Sequence, residues 1–245
     1  MDEVRRLLAG DRTVVHDLGS GTGSMGRWLA PLLPGPQHWV LYDRDPELLA
    51  QAAAHPPWEG SDRAPVTVET RERDLTHLDP AELDGATLIT ASALLDVLSD
   101  DELGQLVAAC TTAGVPTLIT LTVTGRVDLT PSHPLDARLS EAFNAHQRRP
   151  TERGRLLGPM AASATAEAVR SRGLRLLART SPWMLDADDQ PLITAWLHGW
   201  RAAATEQRPG LARRAATYVD DRLAQAAVGD LRVRVEHQDL LVLSA

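Results

Sequence analysis

Short apolar runs alternate with amphipathic stretches through the first half of the chain, a rhythm that predicts strands alternating with helices. Residues 2–9 place Val4, Leu7 and Leu8 on one side of a short helix. Thr13 to Leu18 reads as a strand, followed by a glycine turn and a helix from Ser24 to Leu33 that stops at Pro34-Gly35-Pro36. A second strand is expected at His38–Tyr42, and a helix carrying Leu48 and Leu49 starts at Pro46, a favoured first-turn residue. His55 to Gly60 reads as a loop. Strands follow at Pro65–Arg71 and Ala86–Thr90, then a helix at Asp100–Ala113 and a strand at Pro116–Val123. Strands and helices in strict alternation call for a parallel sheet with right-handed crossovers.

The rhythm changes after residue 124. Residues 125–150 are polar and irregular, with His133, Arg138, His146, Arg148 and Arg149 around a short helix near 135–147. A helix at Met160–Arg172, ended by Gly173, leads to a strand at Leu174–Arg179. Two helices, near 189–206 and 210–228, precede a final strand at Leu231–Leu243. With no repeat or linker, residues 1–245 read as a single domain bearing a lid-like segment at 125–150 and a helical insertion at 186–229.

Composition narrows the chemistry. At 245 residues and 43% hydrophobic content the chain can bury a core of domain size. The net charge of −8 argues against nucleic acid as the main partner. All 25 basic residues are arginine. Without lysine there is no Walker-type phosphate loop, no Schiff-base enzyme and no Tyr-x-x-x-Lys dehydrogenase in this sequence. The single cysteine, Cys110, lies in an apolar pattern and reads as a buried structural thiol. The eight histidines lack metal-ligand spacing, so no metal is expected. The N-terminus has no signal-type apolar region and no run reaches membrane-spanning length, so a cytoplasmic location and no membrane partner are expected.

The stretch that concentrates the chemistry is Val14-Val15-His16-Asp17-Leu18-Gly19-Ser20-Gly21-Thr22-Gly23. An apolar run ending in an acid and three alternating glycines reads as strand, tight turn and helix start. There the backbone can approach a ligand with no Cβ in the way. Asp17 stands at the end of a strand that ought to be apolar, a costly place for a carboxylate unless it meets donors, either a ligand ammonium group or the turn's own N–H groups. Asp43 stands at the next strand tip, twenty residues beyond Gly23, where a carboxylate accepts the hydroxyls of a ribose. Asp74-Leu75 follows at the third tip, offering an acid for an adenine amino group and a leucine to cover the ring. Carboxyl ends of strands are where open α/β sheets bind ligands.

With these residues the sequence resembles the class I S-adenosylmethionine-dependent methyltransferases. The matching segments are Val14–Gly23, Tyr42-Asp43-Arg44-Asp45-Pro46, Arg73-Asp74-Leu75 and Leu88-Ile89-Thr90-Ala91-Ser92-Ala93-Leu94-Leu95-Asp96-Val97-Leu98, together spanning about residues 10–125. The resemblance implies a doubly wound, seven-stranded, mostly parallel sheet (the Rossmann-like methyltransferase fold) whose last strand, 231–243, runs antiparallel. It implies S-adenosyl-L-methionine as cofactor, with its methionine part at the turn (Asp17, Gly19, Ser20, Gly21, Gly23), its ribose at Asp43 beside Arg44, and its adenine at Asp74 and Leu75. Ala91 and Ser92 would lie alongside the cofactor, nearest the methyl donor.

On the acceptor side the family pattern is open. Asp96, on an expected helical turn, either starts a helix or faces the pocket, where it would orient a substrate or act as general base. His146 is the second candidate base. Trp183, Trp196 and Trp200 read as core, as subunit interface or as an apolar substrate wall. The Trp-bearing inserted helices suggest a homodimer. The expected function is methyl transfer to a small-molecule acceptor, at oxygen, nitrogen or carbon. Two other readings remain: a nicotinamide-dependent oxidoreductase, since Gly21-x-Gly23-x-x-Gly26 with Asp43 fits a dinucleotide fingerprint, and a catalytically silent partner protein on a cofactor fold. Asp17, Asp74 and the missing lysine weigh against the oxidoreductase, and the row of acids at the strand tips against the silent partner.

Overall fold

The computed structural model describes residues 2–8, 12–54 and 58–243. Residue 9 of the first expected helix and residues 55–57 of the expected loop lie outside the described residues. In chain order the elements are α1 (Asp2–Leu7), β1 (Thr13–Leu18), α2 (Ser24–Leu29), β2 (Gln37–Asp43), α3 (Pro46–Ala54), β3 (Val66–Glu72), β4 (Leu88–Ser92), α4 (Asp100–Ala113) and β5 (Thr117–Thr130). Then come α5 (Asp136–Gln147), β6 (Pro150–Thr151), β7 (Gly154–Arg155), α6 (Ala161–Arg170), β8 (Arg175–Thr180), β9 (Trp183–Leu185), α7 (Gln190–Gln207), α8 (Ala212–Ala227) and β10 (Arg232–Leu243).

The main sheet runs in the order β3-β2-β1-β4-β5-β10-β8, with short β9 pairing the first part of β10. β1 to β5 pair in parallel, and β10 runs antiparallel to β5, β8 and β9. The order reverses between β1 and β4, which opens a crevice above the carboxyl ends of those strands.

Alternation along the strands sends side chains into two cores. Val40, Tyr42, Ile89 and Ala91 join α4 and α6 on one face. Val15, Trp39, Leu41 and Leu88 join α1, α2 and α3 on the other. Buried on both faces, these strands read as near-continuous apolar runs, which is why the first half was legible.

A third core lies beyond the sheet. It joins Leu139 of α5, Ile193, Leu197 and Trp200 of α7, and Tyr218 and Val219 of α8 with Leu129 of β5 and Val233 of β10. The strand expected to stop at Val123 runs on to Thr130 because this core continues to bury one side of it. The opening of the 125–150 segment is therefore sheet, while α5 is close to the expected helix. The helix expected to reach Leu33 ends at Leu29 and tightens into a 3-10 turn over Ala30–Leu32, where Pro31 has no N–H to donate. The three-residue β9 and the β6–β7 hairpin are too short to leave a periodic pattern.

Buried Arg222 on α8 donates to both Asp136 carboxylate oxygens at 2.7 and 2.9 Å and to the Pro131 carbonyl at 2.7 Å, and the Tyr218 hydroxyl donates to Asp136 at 2.6 Å. One cation thus ties α8 to α5 and the loop before it.

Candidate active site

The turn after β1 bends as three alternating glycines allow: Gly19, Gly21 and Gly23 have φ of 68°, 53° and 80°, the left-handed region that other residues rarely enter. A Cβ on Gly19 would stand 2.9 Å from a Leu94 methyl group. The turn is tied to β2, because Gly21 N donates to Asp43 Oδ2 at 2.8 Å and Ser20 N to the Tyr42 carbonyl at 2.9 Å. Asp43 Oδ1 accepts from Asp45 N at 3.0 Å, so the carboxylate is held at the mouth of the crevice with further acceptor capacity.

The third glycine of the dinucleotide-like fingerprint has a packing reason. A Cβ on Gly26 would stand 2.2 Å from the Trp58 ring, so Gly26 seats α2 against an indole.

Asp17 is 1% exposed. It pairs in register with Thr90 across β1 and β4, and the Thr90 hydroxyl donates to its Oδ1 at 2.6 Å. Its Oδ2 and the nearby Ser20 hydroxyl are buried without a partner. Burial, reinforced by the charge of Asp43, pushes the Asp17 carboxyl up to about 7. An orphaned acid beside the glycine turn fits a ligand ammonium group, which would restore its charge and fill its open lone pairs. The methionine part of S-adenosylmethionine carries that group, so these residues fit the cofactor.

A crevice of about 190 Å³ continues from the turn, lined by Gly19, Asp43, Arg44, Asp74, Leu75, Leu94, Val97, Leu98 and Arg153 among others. It brings together Gly19, Asp43, Arg44, Asp74 and Leu75 of the expected cofactor set. The Asp74 carboxylate spends Oδ1 on Thr76, accepting from its N at 3.1 Å and its hydroxyl at 2.8 Å, and these bonds hold it below the usual carboxylate range. Ala91 is buried in the sheet core, and Ser92 Oγ lies 3.1 Å from Thr120 Oγ1, so neither lines this crevice.

Arg153, which the sequence reading passed over, comes from the turn between β6 and β7 and pairs with Glu102 at 3.2 Å. Its distance along the chain from the strand tips left no local signal.

A second cavity, of about 220 Å³, lies on the other side of the Ala93–Leu98 segment. Ala93 and Asp96 line it, whereas Leu94, Val97 and Leu98 line the first crevice. Its walls are Leu121, Val123 and Val127 of β5, Phe143 and Gln147 of α5, Trp183 of β9, Trp196 of α7, and Val235 to His237 of β10. Two wall residues hold left-handed backbone without being glycine, Ala93 at φ 50° and Leu121 at φ 55°. Such conformations persist only where the surroundings impose them. At Leu121 the imposing partner is Asp239, whose Oδ1 accepts the Leu121 N–H at 3.2 Å and the Ser181 hydroxyl at 2.7 Å. There β5 carries one extra residue against β10, a bulge that re-aims side chains at the rim of the cavity.

Asp96 sits on a 3-10 turn, Leu95–Val97, rather than at the start of a longer helix. Across the cavity it meets Gln147 Nε2 at 3.4 Å, and burial raises its carboxyl above the usual range. His146 is not in the cavity wall. Its Nε2 lies 3.3 Å from Glu206 and its Nδ1 3.3 Å from the Arg149 guanidinium. Trp196 and Trp200 share one face of α7 and stack at 5.0 Å; Trp200 is core, and Trp196 reaches the cavity. His16 is a buried core residue whose Nδ1 lies 3.1 Å from the Tyr42 hydroxyl; burial holds it down at about 4, uncharged at neutral pH. Cys110 is buried and its thiol is pushed up to about 12, which leaves it inert. Among the described residues no cluster of histidine, cysteine, aspartate and glutamate could hold a metal, and no helix is long and apolar enough to cross a membrane.

Comparison with known proteins agrees with the geometry. Residues 15–116 match the family model described as a methyltransferase domain. No curated protein matches the sequence. A solved S-adenosylmethionine-dependent methyltransferase from Methanosarcina mazei superposes with a TM-score of 0.55 at 9% identity, covering 96% of this chain and 95% of that one. A putative methyltransferase from Bacillus halodurans superposes with a TM-score of 0.52 at 12% identity, covering 99% of this chain and 98% of that one. At such identities the likeness is one of fold.

Proposed function

We propose that this chain, a class I S-adenosylmethionine-dependent methyltransferase, methylates a small molecule held in the cavity walled by Phe143, Trp183 and Trp196. The carrying observation is that one short segment, Ala93–Leu98, divides two cavities and contributes side chains to both. One side has the strand-tip acids that suit an adenosyl group, and the other has an apolar pocket closed by α5, β9 and α7.

When bound, S-adenosylmethionine supplies a methyl group on a sulfonium centre, open to in-line displacement. The chain's own part is then alignment and proton handling. Asp17 and Ser20 would hold the amino end, Asp43 the ribose hydroxyls, and Leu75 and Leu94 the adenine faces. Gly21, Gly23 and Arg44 shape the rim, and Ala91 and Ser92 support the divider from beneath. The strained backbone at Ala93 turns the chain between the two cavities, and the indoles exclude water from the acceptor. Of the two candidate bases, Asp96 faces the acceptor cavity. Burial raises its carboxyl above the usual carboxylate range, which makes it a stronger proton acceptor than an exposed aspartate. His146 is better placed to fix α5 through Glu206.

Calorimetry with S-adenosylhomocysteine and with NADH tests the reading. Binding of the first alone is expected; binding of NADH and none of the first would overturn it in favour of the oxidoreductase.

A further inference from the structure

We infer that the methyl acceptor is an amine carried on an apolar or aromatic framework, its nitrogen lodged between Asp96 and the aromatic wall. This rests on the second cavity being the acceptor site.

The charged and amide oxygens that face the cavity hold unspent acceptor capacity. The side chain that Asp96 meets across the cavity is the Gln147 amide, at 3.4 Å, and Gln147 Oε1 is buried with no partner. Among the lining donors, Arg126 Nε donates to Asp128 at 3.0 Å and Asn144 Nδ2 to the Gly125 carbonyl at 2.8 Å, while His237 Nδ1 is buried without a partner. A bound carboxylate or phosphate would meet Asp96, and Glu236 already paired with Arg234 at 2.6 Å, with Arg126 at the rim as the cation of the lining. An N–H donor finds partners at once. Trp183, Trp196 and Phe143 add ring faces and edges to the same small volume, the surroundings in which a cationic nitrogen is stabilised by ring quadrupoles.

The reaction itself favours such a wall. The nitrogen lone pair forms the new N–C bond as the S–C bond breaks, leaving a neutral thioether. The positive charge that sulfur gives up appears on nitrogen, beside Asp96 and the indoles. One N–H proton then passes to the Asp96 carboxylate, which returns the amine to its neutral form. Charge thus develops where the cavity is best able to stabilise it. An alcohol attacking after loss of its proton would end uncharged and make no use of either feature.

The test is calorimetric, on the whole protein saturated with S-adenosylhomocysteine, using three probes of one shape: phenethylamine, 2-phenylethanol and 3-phenylpropionate. The amine is expected to bind about tenfold more tightly than either analogue, and Asp96→Asn to reduce that preference to about threefold or less. Trp183→Leu should weaken the amine more than the alcohol. Equal binding of the three probes, tighter binding of the carboxylate, or no binding of any at millimolar concentration would overturn the inference. The wild-type panel alone decides it if a variant fails to fold. Failure of S-adenosylhomocysteine to bind would count against the cofactor assignment instead, and the probe series could still be run without it.

Discussion

Thr90 and Asp17 face each other across neighbouring parallel strands, and the 2.6 Å hydrogen bond between them leaves the second Asp17 oxygen buried and unpartnered. The pair stores an unmet need for a cation beside the glycine turn, and this makes cofactor binding and fold stability respond to pH in opposite ways.

Asp17 titrates near 7 when folded against 3.8 in the open chain. A carboxyl whose pKa is raised by folding binds more protons in the folded state, so the protein without cofactor loses stability as pH rises from 3.8 towards about 7. An ammonium ligand needs the carboxylate, so affinity for S-adenosylhomocysteine should fall below neutrality, with a limiting slope of about tenfold per pH unit. Calorimetry between about pH 5.5 and pH 8.5 checks the slope; a flat profile would show that Asp17 is not the partner.

Asp17→Asn is expected to separate the two effects. Removing a buried charge should raise the melting temperature of the cofactor-free protein at alkaline pH, by about 2–4 °C for each kcal/mol relieved. The same change should weaken S-adenosylhomocysteine by about 1.5–3 kcal/mol, the range for a hydrogen bond to a charged group. Thermal melts with and without ligand give both numbers.

Asp43→Ala removes the proposed ribose acceptor and the anchor for the Gly21 and Asp45 N–H groups. Cofactor affinity should drop by about 1.5–3 kcal/mol, while Asp43→Asn, which retains one acceptor oxygen, should lose less. Unchanged affinity in the alanine variant would place the ribose elsewhere.

Gly26→Ala sets helix propensity against packing. Alanine favours a helix interior by about 1 kcal/mol, but its Cβ meets the Trp58 ring, and overpacking of this kind costs about 1–3 kcal/mol. Net destabilisation by urea denaturation is expected, and Trp58→Leu should suppress it. A stabilised single variant would show that the indole moves freely.

Arg222→Met should destabilise by about 3–5 kcal/mol, because it leaves Asp136 largely buried beside Tyr218 without its cation. Replacing both partners, with Asp136→Leu, should recover part of the loss. Chemical denaturation of the two single variants and the double variant measures the coupling.

The sequence by itself determined the parallel half of the sheet, because strands buried on both faces leave unmistakable apolar runs punctuated by Gly and Pro. It also determined the row of glycines and acids at the strand tips. The three glycines, Asp17, Asp43 and Asp74 lie at ends of successive strands, and position along a strand is a local property of the chain. Tertiary structure alone decided the rest. Arg153 reaches the crevice from a hairpin with no periodic signal, and Leu121 owes its strained backbone to Asp239, more than a hundred residues away. The second cavity exists only where Asp96, Phe143, Trp183 and Trp196 converge from four separate elements. Asp96, Phe143 and Trp183 lie far apart along the chain, so their meeting is a consequence of the third core, which draws α5, α7 and α8 over the long ends of β5 and β10.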